Sequence, residues 1–277
     1  NMTPRITSPV GNGSEEMIDP ENPPGEPEMV EAYNASISPD GEQIIFTIRF
    51  TREVTVEGFL QYHEYEDLFL ASIDGQRIER ITGMEAPRTG NAVWSPDGKS
   101  IAFDSNVDGD SEIFTIALDT DILAQLTFNA DDDRYPTWSP DGLNIAFASD
   151  RISPGFLQIW RMSAAGGDPE QLTTSANQSF APAWSPDGES IAFISNRRSD
   201  PDLFVMAADG TNERLITTSD GSAEDLNPAW SKDSAWIAFS SNFESYVLEL
   251  TFIRPDGTER QRISDGQGDN RYVDWLP

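Results

Sequence analysis

Apolar residues in this chain come in short blocks that repeat, not in helical stripes. The most regular block is Ile101-Ala102-Phe103, Ile145-Ala146-Phe147, Ile191-Ala192-Phe193 and Ile237-Ala238-Phe239. A run of this length between turn signals predicts a strand whose two faces are both covered. Further strands are predicted at Ile113-Phe114, Ile159-Trp160, Leu203-Phe204 and Leu250-Thr251-Phe252, and these lead to Asp-Gly turns such as Asp209-Gly210 and Asp256-Gly257. A fourth, short strand follows: Arg80-Ile81-Thr82, Gln125-Leu126-Thr127, Gln171-Leu172-Thr173, Arg214-Leu215-Ile216 and Arg262-Ile263-Ser264. The first strand of each set ends on tryptophan, as in Pro182-Ala183-Trp184-Ser185. No segment has the 3.6-residue period of an amphipathic helix. The chain reads as all-β.

The punctuation gives the period. Trp-Ser-Pro-Asp-Gly stands at residues 94–98, 138–142 and 184–188, with a degraded copy, Trp230-Ser231-Lys232-Asp233-Ser234. The tryptophans are 44, 46 and 46 residues apart, and a further 45 residues lead to Trp275. Four strands in a period in the forties predict a β-propeller with one blade per repeat. Ser-Pro-Asp-Gly suits a tight turn, since Pro presets φ and Gly tolerates the strained last position. The copy at Ser231 has lost both Pro and Gly, so its turn is expected to differ. The four tryptophans are expected at equivalent buried positions.

The first blade departs from the pattern. It has Ile37-Ser38-Pro39-Asp40-Gly41 in place of the tryptophan motif and an insertion over residues 51–64. Five complete repeats are visible. Arg5-Ile6-Thr7 matches a fourth strand and residues 272–277 match a first strand. A six-bladed ring with an incomplete or shared sixth blade is therefore expected. Residues 8–31 are rich in Pro, Gly and Glu and cannot bury a core. The chain divides into a strand fragment with an extended arm, residues 1–32, and the propeller, residues 33–277.

The unit PAWSPDG…IAFISNR…DLFVMAADG…RLIT, residues 182–217, resembles the repeat of TolB-like β-propellers, and the resemblance runs from about residue 33 to 277. It implies a non-catalytic protein of the bacterial envelope, periplasmic or extracellular, that binds protein segments at its channel mouth. TolB-like repeats also occur beside the hydrolase domain of serine peptidases. This chain has no remaining length for such a domain and no Gly-x-Ser-x-Gly elbow. Its one histidine, His63, cannot supply the several metal ligands of propeller-shaped lyases. No enzyme activity and no cofactor are expected. The alternative is a carbohydrate- or small-ligand-binding, even hydrolytic, propeller using the same mouth.

Charge narrows the partners. The formal net charge is −30, with Lys99 and Lys232 the only lysines. Such a surface repels nucleic acid and anionic lipid and attracts basic proteins or cations. No apolar run reaches membrane-spanning length. There is no cysteine, so no disulfide framework exists. The first residue, Asn1, and the lack of a signal-like stretch suggest a processed form. Asn106-Val107-Asp108-Gly109-Asp110-Ser111-Glu112 has the alternating oxygens of a calcium loop without its flanking helices or its distal Glu, and turn chemistry accounts for it.

Loops from a fourth strand to the next first strand open on one face of a propeller. Here they carry Asp131, Asp132, Asp133, Arg134 and Tyr135, then Phe180, then Glu224 and Asp225, then Asp269 and Arg271. Gathered at one mouth, these carboxylates would focus a negative potential on a basic peptide or a divalent cation in the channel. Self-repulsion at −30 has a direct consequence, because the Debye length falls from about 30 Å at 0.01 M salt to about 3 Å at 1 M. The melting temperature is expected to rise with added NaCl in differential scanning fluorimetry. A flat or falling trace would show that repulsion among these carboxylates does not limit stability.

Overall fold

A computed structural model of the chain describes residues 28–56, 59–218, 223–243, 245, 247–263 and 275. Among them are five four-stranded antiparallel sheets, each made of strands consecutive in sequence, and no helix. Blade one is β1 (Glu28–Ile37), β2 (Gln43–Val56), β3 (Phe59–Ser72) and β4 (Ile78–Arg80). Blade two is β5 (Thr89–Trp94), β6 (Ser100–Ser105), β7 (Glu112–Ala117) and β8 (Ile122–Gln125). Blade three is β9 (Asp133–Trp138), β10 (Asn144–Ser149), β11 (Gln158–Ser163) and β12 (Glu170–Gln171). Blade four is β13 (Ser179–Trp184), β14 (Ser190–Ser195), β15 (Asp202–Ala207) and β16 (Arg214–Leu215). Blade five is β17 (Asp225–Trp230), β18 (Ile237–Ser241), β19 (Glu249–Ile253) and β20 (Gln261–Arg262).

The core lies between blades, which explains why the second strands are apolar throughout. Ile45, Leu68 and Leu70 of blade one pack on Trp94, Ile101 and Phe103 of blade two. Phe147 and Trp160 take Ile113 of the preceding blade, and Phe193 and Phe204 take Ile159 and Leu172 of theirs. Phe239 and Ile253 face Ile194 and Val205 in the same way. The phenylalanine of the repeated Ile-Ala-Phe block is fully buried in all four copies.

Every motif turn is built alike. Ser95 Oγ donates to Asp97 Oδ1 at 2.7 Å and accepts the Ser100 N–H at 2.9 Å, while Asp97 Oδ1 also accepts the Lys99 N–H. The expectation that the degraded copy would turn differently is corrected. Ser231 and Asp233 make the same three bonds, and Ser234 takes the glycine's left-handed place at φ 56°. The short fourth strand ends in a clasp that the hydrophobic pattern did not reveal. Thr82, Thr127, Thr173 and Thr217 each accept, through Oγ1, the N–H of a buried third-strand residue at 2.8–2.9 Å.

The blade-one insertion lengthens the β2–β3 hairpin, in unbroken register from Thr51↔Glu64 to Val56↔Phe59. β1 begins at Glu28, so residues 28–32 of the expected arm are strand. The four motif tryptophans all end innermost strands, but Trp94 and Trp230 are buried while Trp138 and Trp184 are only partly so. Arg5-Ile6-Thr7 lies outside the described residues, as do residues 272–274, 276 and 277. Phe193→Ala is expected to cost about 3–5 kcal/mol in urea unfolding, as a fully buried aromatic does. Trp184→Ala should cost clearly less, and equal losses would contradict the inter-blade location of the core.

Candidate functional site

Each innermost strand carries one extra residue at the same place. The register slips between Tyr33 and Ser36, Gly90 and Val93, Phe180 and Ala183, and Leu226 and Ala229, and opposite Arg134 and Thr137 in β9. At each bulge the residue three before the motif tryptophan, or before Ile37, has a left-handed φ of 49–58°: Asn34, Asn91, Tyr135, Ala181 and Asn227. Asn accepts this conformation readily, whereas Tyr135 and Ala181 adopt it at a cost of about 1–2 kcal/mol. Such bulges re-aim side chains, and here they ring the central channel.

The mouth of that channel is a cavity of about 440 Å³ lined by Asn34, Asn91, Asn227, Tyr33, Tyr135, Phe180, Leu226, Arg49, Arg88, Gly90 and Glu66. Deeper, the same bulges and the residues after them line a further space of about 260 Å³. Two ion pairs organise the mouth. Arg49 donates to Glu66 Oε1 through Nε at 3.1 Å and Nη2 at 3.0 Å; the Tyr33 hydroxyl also donates to that oxygen, and the Thr89 N–H bonds Glu66 Oε2 at 3.1 Å. Burial and the neighbouring Glu66 carboxylate push the Tyr33 phenol well above its ordinary range. In the second pair, Arg88 Nε lies 3.3 Å from Asp104 Oδ1. Asp104 Oδ2 accepts the Asn91 amide at 2.6 Å and the Tyr135 N–H at 2.9 Å, which holds the strained Tyr135 backbone. Burial raises the Asp104 pKa, opposed by Arg88. Both carboxylates are buried, and both guanidiniums remain about one-third exposed. The cavity therefore meets hydrogen-bond donors, backed by hidden carboxylates, beside the Tyr135 and Phe180 rings 6.2 Å apart.

Among the described residues, the expected carboxylates do not line this cavity, whose one described carboxylate is the buried Glu66. Of the residues expected there, Tyr135 and Phe180 do line it. Asp133 is buried and accepts from Arg151 at 2.8 Å and Asn129 at 2.7 Å. Asp225 is buried between the Thr217 hydroxyl and Arg260. Asp132 is half-buried and pairs with Arg134 at 2.7 Å, Asp131 donates its N–H to Asn129, and Glu224 is exposed. Asp269 and Arg271 lie outside the described residues. Sequence reasoning missed Tyr33, Arg49, Glu66 and Arg88. The available signal was Asn at the third position before the motif in Asn34, Asn91 and Asn227. Among the described residues no three His, Cys, Asp or Glu side chains are grouped to hold a metal ion, and no helix is long and apolar enough to cross a membrane.

Blades of four consecutive strands around a lined channel define a β-propeller. The chain belongs to the TolB beta propeller domain family, which matches residues 33–277. It is similar in structure to TolB from Acinetobacter baumannii, with a TM-score of 0.69 and 21% identity over 87% of this chain and 56% of that one. It is also similar to a Mycobacterium tuberculosis puromycin-hydrolyzing peptidase, with a TM-score of 0.65 and 13% identity over 84% of this chain and 37% of that one. An oligogalacturonate lyase in complex with manganese has a TM-score of 0.56 and 12% identity, covering 87% of this chain and 73% of that one. At these identities the likeness is one of fold, and the chain spans little more than half the length of the Acinetobacter TolB. No curated protein matches the sequence.

Removing one member of a buried ion pair leaves the other uncompensated. Arg88→Ala is expected to cost about 3–5 kcal/mol, and Arg88→Ala with Asp104→Asn to recover most of that. Chemical unfolding of both variants measures it; equal losses would mean that Asp104 does not need its guanidinium.

Proposed function

We propose that this chain is a non-catalytic protein-binding propeller of the cell envelope or extracellular space, taking an extended partner segment at its channel mouth. The observation that carries this is the mouth cavity, in which two part-exposed guanidiniums sit beside Tyr33, Tyr135 and Phe180. Aromatic and Arg side chains are the commonest anchors of protein recognition. A guanidinium fork matches a carboxylate, so the segment best suited carries an aromatic or apolar side chain and an acidic group. This differs in sign from the basic peptide or divalent cation that composition alone suggests. His63 does not line the cavity, and the lining holds no Ser or Cys beside a base.

A six-bladed ring with a shared last blade is part of the same reading, and Trp275 supports it. Its Nε1 donates to Ala229 O at 3.1 Å, as Trp230 does to Ala183 O at 3.0 Å and Trp94 to Ser36 O at 3.2 Å. Its ring stacks on Phe252 of blade five at 4.9 Å. It thus repeats the step from one innermost strand to the next.

Panning a displayed random-peptide library against the folded chain tests the binding proposal. Recovered peptides are expected to combine an aromatic residue with Asp, Glu or a free C-terminus. Phe180→Ala should weaken them by about tenfold or more, as the loss of a central aromatic does. Peptides that are uniformly basic, or indifferent to Phe180→Ala, would overturn it. Preferential binding of acidic oligosaccharides over peptides would favour the small-ligand alternative.

A further inference from the structure

The third strand of each blade carries a polar residue at one equivalent position, its first residue in blades two to five and Asp67 within the longer β3 of blade one, and blade two handles it differently. Asp67 accepts the Thr82 hydroxyl at 2.8 Å and the Met84 N–H at 3.2 Å. Gln158 accepts the Thr173 hydroxyl at 3.0 Å and the Ser175 N–H at 3.1 Å. Glu112 likewise accepts the Asn129 N–H at 2.7 Å. In each case the side chain holds down the loop that leads to the next innermost strand.

The charge is balanced in other blades. Asp67 pairs with Arg80 of the fourth strand, and Glu249 pairs with Arg262 at 2.9 Å. Blade three has amides at both places, Gln158 and Gln171. A second cation comes two residues after the serine that ends the second strand. Arg151 lies over Trp160 and Arg197 over Phe204, and each also reaches the adjoining first strand, at Asp133 and Ser179. Blade two has neither. Gln125 replaces the fourth-strand arginine and donates to Asp108 at 3.1 Å instead, and the exposed Val107 stands where Arg151 and Arg197 stand. The turn beside it adds two acids, Asp108 and Asp110.

The outcome is a corner short of positive charge. Glu112 and Asp133 are both at least 99% buried, and Glu112 Oε2 and Asp133 Oδ1 have no hydrogen-bond partner; nor does Asp110 Oδ2. Asp110 and Asp133 face Glu112, and the charged groups around them are Asp108 from the turn before β7, Asp131, Asp132 and Arg134 from the loop into β9 and its start, and Asp150 and Arg151 after β10. Arg151 is engaged by the other oxygen of Asp133, and Arg134 by Asp132. A buried carboxylate is harder to ionise when another negative charge lies near it. A metal ion would need three or more such groups drawn together, and among the described residues none are.

We propose that Glu112 keeps its proton beside Asp133, and that this makes it a pH-sensitive latch on the loop, residues 126–132, that leads to Tyr135. Asn129 bridges the two acids, its N–H on Glu112 and its side-chain amide on Asp133, and Tyr135 follows two residues after Asp133. Burial, with Asp133 and Asp110 adding to it against the Thr127 and Asn129 hydrogen bonds, pushes Glu112 from 4.5 to about 8. Below about 4.5 the group is protonated whether the chain is folded or not. Between 4.5 and 8 the folded chain keeps a proton that the unfolded chain releases. Its contribution to the folded-to-unfolded ratio therefore falls about tenfold per pH unit across that window and is flat above it. Once ionised, Glu112 repels Asp133 and Asp110, and the loop beside the mouth loosens. The consequence for binding rests on the reading of the mouth given above; the latch itself does not, and it is tested without any ligand.

Glu112→Gln preserves the acceptor for Asn129 and removes the ionisable group. Its melting temperature should match that of the wild type only near pH 4.5, and should exceed it by more near pH 9 than near pH 6. Hydrogen exchange over residues 126–135, compared between the two chains at one pH, should be faster in the wild type by a larger factor at pH 9 than at pH 6. Val107→Arg, which supplies the arginine that blades three and four have at this place, should also flatten the pH dependence, and it carries the test if Glu112→Gln does not fold. Differences that are the same at both pH values would overturn the proposal. So would a wild-type melting temperature at pH 9 that millimolar calcium raises and a chelator lowers, because a metal would then be the counter-ion.

Discussion

Blade-on-blade packing is the constraint from which the rest of this structure follows. A single four-stranded sheet with apolar residues on both faces is insoluble alone, and it becomes stable when a neighbour covers each face. Ile191, Phe193 and Phe204 are therefore covered by blade three, and Ile194 and Val205 by blade five. Since the faces carry the stability, the strand ends are free to vary. Burying one side chain of this size contributes roughly 1.5–3 kcal/mol, and each blade contributes several. A fourth strand of two or three residues suffices because its threonine clasp satisfies a buried N–H that a longer strand would otherwise have to meet.

The repeated pattern and the departures from it have different roles. The motif turn is so well determined by Ser and Asp that Ser234 can stand in for glycine, at the ordinary price of a left-handed non-glycine residue. The bulge three residues before the motif is equally regular, but its side chain differs between blades. It is Asn in three blades, Tyr in one and Ala in one. Function is therefore read at the bulges and at the loop ends, where blades differ while their faces stay alike.

The fold was legible because its signal is local and recurs. Trp94, Trp138, Trp184 and Trp230 fix the period, and the Ile-Ala-Phe block fixes the doubly covered strand. The mouth was mostly illegible, because its partners are distant in sequence: Tyr33 and Glu66 meet only when the strands of blade one pair, and Arg88 and Asp104 only when those of blade two do. Asp133 and Asp225 looked like solvated loop charge for a similar reason. They begin innermost strands, and their arginines, Arg151 and Arg260, are 18 and 35 residues away. A signal did exist in Ser149-Asp150-Arg151 and Ser195-Asn196-Arg197, where the recurring arginine announces a buried partner.

The net charge of −30 also looks different once the carboxylates are placed. One group sits in the outer turns: in Asp40, Asp74, Asp97 and Asp233 the neighbouring serine hydroxyl holds the carboxyl below its usual pKa. These stay ionised and supply the long-range field. A second group, Asp67, Asp104, Glu112 and Asp225, is buried, and desolvation raises it. Three of these four meet an arginine, and blade two leaves Glu112 without one. Arg88, held by Asp104, and Arg49, held by the buried Glu66, are what the channel mouth presents, so its short-range chemistry is opposite in sign to the surface around it. A carboxylate-bearing segment would be repelled at a distance and held on contact. Salt that screens the outer field beyond about 8 Å leaves the buried pairs, and the donors they orient, largely untouched.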